Sequence, residues 1–433
     1  MDQGEPMRMI KDQPGAAVHA HAYSGASCRF CGTPLRHTFT DLGMSPPCEN
    51  YLSADQLNRM EAFYPLHVFV CEECLLVQLQ EYVSPESIFS EYAYFSSYSD
   101  SWLAHAKAYA DEVVPRFGLG PDSLTVELAS NDGYLLQWFV KKGLPVLGIE
   151  PAANVAREAE KKGVPTLVKF FGRETAADLV AAGKQADLIV GNNVFAHVPD
   201  LCSFTDGMKI LLKPGGVITL EFPHLMRLME GNQFDTIYHE HFSYFSFLTA
   251  CRVLAKFGLA VFDVKELSTH GGSLRLYARH AEDESKPVTD RVRDLAEREM
   301  HAGFTRLATY HSFDEQVKAT KRKILTFLIG ARQAGKTVAG YGAPGKGNTL
   351  LNYCGIRSDL LDYTVDRNPY KHGKFLPGTH IPVYPPEKLF ETRPDYVLIL
   401  PWNLKNEIRE QLAWIQDWGG KLVVPIPDVE VLE

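Results

Sequence analysis

The chain has 433 residues, about three times the usual single-domain length, so two or three domains are expected. Its 45% hydrophobic and 22% charged residues are the composition of a globular protein and argue against long disorder. A formal net charge of −9 argues against nucleic-acid binding, and no apolar run reaches the roughly 20 residues that a membrane helix needs.

Residues 1–24 lack the apolar core of a secretory signal and read as a disordered extension of a cytoplasmic protein. Residues 25–83 are rich in cysteine, proline and aromatics without helical periodicity, which predicts a small loop-and-strand module. Within it, CRFC carries Cys28 and Cys31, and CEEC carries Cys71 and Cys74. Two such pairs suit two knuckles around one tetrahedral Zn2+, with thiolates at about 2.3 Å. Four thiolates leave no open coordination position, so this metal is expected to hold a fold. The alternative is four unligated core cysteines. Cys48, beside Pro46 and Pro47, is read as a packing residue.

From residue 84 to 282 the apolar runs LTVEL, PVLGIE, ADLIVGNN and GVITLEFP alternate with amphipathic stretches such as AANVAREAEKKG, which predicts a doubly wound parallel α/β sheet. The first strand runs into a small-residue turn, ELASNDG, that offers Glu127, Ala129, Asn131, Asp132 and Gly133 to a ligand. Glu150 closes the next strand roughly 20 residues on, where a carboxylate can accept the hydroxyl hydrogens of an adenosine ribose. Asn192 and Asn193 end a later strand, and Phe170 with Phe171 either sandwich an adenine or serve as core aromatics.

Residues 283–433 repeat the α/β theme in TVAGYGA, YTVD, DYVLILPW and KLVVPIP, which predicts a second, separate parallel sheet in a Rossmann-like domain. Here GYGAPGKGNT is a strand, a glycine-rich turn and a helix, presenting N–H groups to an anion. Its spacing is not that of a P-loop. The segment TIYHEHFSYFS packs Tyr238, His239, Glu240 and His241 together. A metal site, a general base and a polar turn are all open readings, although HExxH fails because position 243 is serine.

The order of ELASNDG, Glu150, NNVFAHVPD and LLKPGG resembles class I S-adenosylmethionine (SAM)-dependent methyltransferases, with NAD or another adenosine cofactor as the alternative. Together with CRFC, CEEC, YHEHF, HGGSLR and GYGAPGKGNTLLNYCGI, it resembles the three-domain nucleotide-sugar C-methyltransferases of deoxysugar pathways. The resemblance implies a zinc-binding N-terminal domain, a central SAM domain and a C-terminal Rossmann-like domain. A thymidine-diphosphate-linked 4-keto-6-deoxysugar would lie between them. It also implies an active site of Tyr92, His197, Tyr238, Glu240 and His241, with His241 as general base. His239 departs from the pattern of many relatives, so no role carries over to it.

A sugar carbon becomes a nucleophile only after deprotonation beside the ketone, so C3-methylation of such a substrate needs a base and a donor for the enolate oxygen. Lys346, Asn348 and Asp366 are then candidate contacts to the sugar nucleotide, with His270 and Arg275 facing the cleft. The other readings are C-methylation of a non-sugar enolisable substrate, and a non-catalytic scaffold that binds SAM or nucleotide. Monomer and homodimer are equally compatible with the sequence.

Overall fold

The computed structural model describes residues 25–85 and 95–432, so the expected N-terminal extension and Tyr92 lie outside the described residues. Three antiparallel strands come first: β1 (His37–Ser45), β2 (Tyr64–Val70) and β3 (Val77–Leu79). The cysteine pairs form two matched turns beside them. Cys28 N–H donates to Thr33 O (2.8 Å) and Cys71 N–H to Leu76 O (3.0 Å), while Gly32 and Leu75 N–H return to the Cys28 and Cys71 carbonyls (2.9 and 3.0 Å). The equivalent residue in each turn is left-handed, with φ of 81° at Gly32 and 60° at Leu75. A Cβ makes that conformation costly at Leu75, so the surrounding structure has to hold it.

The central sheet is built from β4 (Thr125–Leu128), β5 (Val146–Ile149), β6 (Thr166–Leu167), β7 (Ala186–Asn192) and β8 (Leu212–Pro223). The short β9 (Ser243–Tyr244) leaves this domain to pair with β3; β10 (Leu259–Leu267) and β11 (Ser273–His280) complete the seven-stranded order β10-β11-β8-β7-β4-β5-β6. The strands expected to be parallel are so from β4 to β8, but β11 runs antiparallel to both its neighbours. The reason is the connection: residues 268–272 are too few for a crossover, which needs about a dozen residues or more, so the chain returns as a hairpin. Along β7, Leu188 and Val190 face the helices Asp100–Arg116 and Leu136–Val140, while Ile189 faces Arg173–Ala181 and Leu201–Leu211. Helices on both faces explain why these strands read as continuous apolar runs.

The helix Asp290–His301 follows the boundary expected at 282/283, yet it packs on the central unit. Its buried Glu299 accepts from the N–H groups of Phe247 (2.7 Å) and Leu248 (2.9 Å) at the start of the helix Phe247–Lys256, and from His224 Nε2 (2.6 Å).

The last domain has β12 (Val338–Tyr341), β13 (Thr364–Val365), β14 (Val383–Tyr384), β15 (Tyr396–Ile399), β16 (Lys421–Val424) and β17 (Glu430–Leu432). Their order is β14-β13-β12-β15-β16-β17, parallel except for the edge strand β17. The helix Phe313–Gln333 buries Phe313, Val317, Thr320, Ile324, Leu328 and Ala331, the three-and-four spacing of one apolar face. Phe313 stacks on Phe39 of β1 with ring centroids 4.7 Å apart. The cysteine-bearing sheet therefore packs on the C-terminal domain while its β3–β9 pairing ties it to the central one.

Candidate active site

The turn after β4 is strained. Ala129, Asn131 and Gly133 have φ of 55°, 49° and 74°, and a Cβ on Gly133 would meet Ala159 and Val164 at 3.2 Å. Left-handed residues that carry a Cβ cost energy and tend to persist at ligand sites. Glu150 stabilises this turn from below, accepting from Asn131 N–H (2.9 Å) and Ala152 N–H (2.9 Å). The carboxylate expected on a ribose thus also organises backbone. Around the turn, both Glu127 oxygens, Asp132 Oδ1, both polar atoms of the Asn192 side chain and Asn193 Oδ1 are buried without a hydrogen bond of sound geometry. Burial, with Asp132 and Glu150 nearby, pushes Glu127 well above the ordinary glutamate range. Buried polar groups normally have partners, so this cluster has the form of a cradle for a polar ligand. Lys162, which bonds Asp132 Oδ2 at 3.1 Å, and the N–H groups of Ser96 and Ser97 over Asn131 and Asp132 close one side.

The 236–242 segment sits beside that cradle. His241 Nδ1 lies 2.8 Å from Thr236 O. A carbonyl only accepts, so Nδ1 carries the proton and Nε2 holds the free lone pair. The Tyr238 ring lies 4.0 Å and the His197 ring 4.6 Å from the His241 ring, between centroids. Burial, then the neighbouring His197, holds His241 well below the ordinary histidine value, and burial takes His197 to about 4. Both imidazoles are therefore neutral near neutral pH. His197 is engaged by the Glu240 backbone. His239 turns away from this group, edge-on to the Tyr64 ring at 5.9 Å.

The four cysteine sulfurs converge. Sγ atoms of Cys28 and Cys74, and of Cys31 and Cys71, are 3.5 Å apart, and all four lie within 4.8 Å of one another. A Zn–S distance of about 2.3 Å implies an S–S edge of about 3.8 Å, so the set fits one tetrahedral ion. Gln78 Nε2 donates to Cys28 Sγ at 3.1 Å, a hydrogen bond that orients a thiolate ligand. Gln78 and Val77 pair with Ser243 and Tyr244, and Leu79 N–H donates to Phe242 O at 3.0 Å. The metal module therefore ends one residue from His241.

In the C-terminal domain the glycine-rich turn is already filled by the chain. Asn348, expected at a substrate, donates from Nδ2 to Cys48 O at 2.6 Å. Asp366 accepts from Ala343 N–H and Asn368 N–H, each at 2.7 Å. A Cβ on Gly345 would meet Cys48 Sγ at 2.8 Å and Glu49 Oε1 at 3.0 Å, and Tyr51 hydroxyl donates to Ala343 O. Cys48 does pack, as expected, and does so against this turn. Lys346 alone points elsewhere: its ammonium bonds Asn403 Oδ1 at 2.6 Å, lies 4.8 Å from the Trp402 ring and acts electrostatically on His241 and His270.

His270 has a left-handed φ of 55°, sits edge-on to Trp102 at 5.2 Å and is open to solvent, as on a cleft wall. Arg275 is instead buried, 2.6 Å from Glu221 and 3.0 Å from His105, so it neutralises a carboxylate at the end of β8 rather than facing open cleft. Phe171 packs on Phe204 (5.3 Å), whereas Phe170 is 41% exposed. Sequence reasoning missed Asp235, Glu221, His105 and Trp402. The one cue was position: Asp235 immediately precedes the TIYHEHF segment and Glu221 ends a strand.

Three family descriptions tile the chain: "Putative zinc binding domain" over 28–89, "Methyltransferase domain" over 102–264 and "C-methyltransferase C-terminal domain" over 268–427. C-methyltransferase NovU from Streptomyces niveus is 36% identical over 405 residues, 94% of this chain and 96% of that one. A ubiquinone biosynthesis O-methyltransferase of Methylobacterium sp. (strain 4-46) is 33% identical over 123 residues, 27% of this chain and 48% of its own. Among solved structures, magnesium protoporphyrin IX methyltransferase from Synechocystis PCC 6803 with bound SAM aligns over 41% of this chain and 81% of its own at 17% identity and a TM-score of 0.32. The oxygen acceptors of Glu127, Asp132 and Asn193 fit the hydroxyl and amino groups of SAM, the Asn192 amide N–H fits its carboxylate, and the four sulfurs fit structural zinc. With its zinc-binding, central class I methyltransferase and C-terminal α/β domains in that order, the chain belongs to the C-methyltransferase family and is a SAM-dependent C-methyltransferase.

Proposed function

We propose that the protein methylates the carbon alpha to the 4-keto group of a nucleotide-linked deoxysugar through an enolate. The observation that carries this reading is the His241 imidazole, whose Nδ1 proton is committed to Thr236 O and whose Nε2 lone pair is free beside His197 and Tyr238. SAM supplies an electrophilic methyl group. Neutral His241 removes the alpha proton, a step typically worth roughly 10² to 10⁴ in rate. Tyr238, with Tyr92 as a second phenol, donates to the enolate oxygen, and Glu240 orients this group. His197 holds a substrate hydroxyl or amino group. C3 is the favoured carbon; C5 is the other position alpha to a 4-ketone.

For the nucleotide we favour a thymidine diphosphate, with Lys346 and His270 as its contacts on the cleft wall. Asn348 and Asp366 rank behind these two, because they bind Cys48 O and the backbone of the turn itself, whereas Lys346 is held by the Asn403 side chain beside Trp402. The setting we propose is the cytoplasm, in deoxysugar biosynthesis.

The test is hydrogen exchange at a thymidine-diphosphate 4-keto-6-deoxysugar, followed by NMR, with calorimetry of SAM and thymidine diphosphate alone and together. His241→Asn abolishes exchange and methylation while SAM still binds; unchanged exchange sinks the base assignment. The position that exchanges separates C3 from C5. Because burial keeps His241 neutral, the acidic limb of kcat/KM lies below the ordinary histidine value of about 6.5. SAM binding without thymidine diphosphate binding redirects the proposal to a different nucleotide or a non-sugar ketone.

A further inference from the structure

The residues that set the tautomer of His241 are themselves held from another domain. Thr236 O accepts the His241 Nδ1 proton, and its two neighbours are both tied to the C-terminal domain. On one side, the buried Asp235 accepts from Trp402 Nε1 through Oδ2 at 2.6 Å. On the other, Ile237 O accepts from Thr349 Oγ1 at 3.0 Å. The Trp402 indole also abuts the opposite cleft wall, where a Cβ on Gly271 would meet its Cη2 at 2.9 Å, next to His270. Its face lies under the Lys346 ammonium. One indole from the loop after β15 thus touches the backbone that aims His241, the wall that carries His270 and the lysine that acts on both.

We propose that Trp402 and Thr349 are positioning residues for methyl transfer, fixing the 235–237 backbone so that His241 presents its Nε2 lone pair in one orientation. This rests on the reading of His241 as the base. The C-terminal domain then acts in the chemistry through a backbone clamp, with neither clamp residue required to touch substrate. The physical basis is that a base must be held to a fraction of an ångström, and a displacement of about 1 Å costs on the order of 10²-fold in rate. A single rotatable carbonyl on a loop supplies that precision only when its flanks are fixed.

The test uses full-length, zinc-loaded enzyme and a thymidine-diphosphate 4-keto-6-deoxysugar that the wild type accepts. Trp402→Phe keeps an aromatic ring and removes the N–H; Thr349→Val keeps the shape and removes the hydroxyl. Each is expected to lower kcat and the alpha-proton exchange rate by about 10- to 100-fold, with SAM affinity near wild type and the melting midpoint lowered by only a few degrees, so that both variants are folded at the assay temperature. Asp235→Ala behaves like Trp402→Phe, the pair is no worse than either alone, and Asp235→Asn, which restores an acceptor for the indole, recovers most of the loss relative to Asp235→Ala. Wild-type exchange rates in both Trp402→Phe and Thr349→Val overturn the clamp, as do additive losses in the pair. Failure of the base reading has a different signature, since His241→Asn would then keep exchanging.

Discussion

The chain contains two strand-turn-helix crevices of the same general design, and they have opposite fates. After β4, the turn leaves Asp132 Oδ1 and the Asn192 side chain buried without a hydrogen bond, and Glu127 buried with Tyr134 beside it. After β12, the Asn348 amide N–H, Asp366 and the glycine-rich backbone pair with the protein's own atoms, with the 48–51 loop of the zinc module seated over Gly345 and Asn348 Oδ1 left without a hydrogen bond. A glycine-rich turn at the end of a parallel strand creates the capacity to bind; occupancy is decided by what the rest of the chain brings there. In this protein one crevice keeps the form of a ligand cradle while the 48–51 loop of a neighbouring domain fills much of the other.

The strongest way to break this contrast is to remove the plug's anchor. Cys71→Ser, or chelation of the metal, is expected to cost several kcal/mol, roughly 10 °C in melting midpoint, and to abolish methyl transfer because β3 then no longer holds β9 next to His241. Differential scanning calorimetry with a zinc assay checks it, and a metal-free protein with normal melting contradicts it. The next effect tests the open crevice. Glu127→Gln is expected to weaken SAM binding about 10- to 100-fold by calorimetry while raising the stability of the ligand-free protein.

The pH dependence of that gain has a defined sign. Burial raises Glu127 in the folded state, so its contribution is most favourable below the ordinary glutamate pKa and is lost as pH rises toward the raised value. The melting midpoint of the wild type should fall over that window, and Glu127→Gln should flatten the fall. Asp235, raised to about 6 by burial, adds a drop of the same sign between about 4 and 6.

A smaller effect sharpens the filled crevice. Asp366→Ala removes the acceptor for Ala343 and Asn368 N–H and should cost about 1 to 2 kcal/mol in denaturant unfolding with little change in SAM affinity. If thymidine diphosphate affinity collapses instead, the crevice is a ligand site after all. The smallest expected change is Phe170→Ala, under about 0.5 kcal/mol in stability because the ring is exposed. A loss of SAM affinity there would assign the ring to the adenine.

Legibility followed the range of the interactions. CxxC pairs are local statements, and their two turns repeat the same hydrogen bonds because two intervening residues force the same backbone. The strands and helices were legible because apolar periodicity is a property of neighbours along the chain. The antiparallel β11 was not, since direction depends on the length of a connection whose apolar pattern looks the same either way. His241, His197 and Tyr238 were legible as residue types and as a family pattern. Trp402 and Thr349 were not, because each lies more than a hundred positions from the backbone it contacts.

The sequence by itself determined the domain order, the four-cysteine set, the parallel core of each of two sheets and which residue types crowd the 238–241 segment. Tertiary structure alone decided that one glycine-rich turn would be filled from within, that Arg275 would be locked to Glu221, and that Nδ1 rather than Nε2 of His241 would carry the proton. The physical reason is that composition and spacing set what a segment can donate or accept. Which partner satisfies it depends on the packing that brings distant segments within hydrogen-bond distance, and a buried polar group takes the partner that packing supplies.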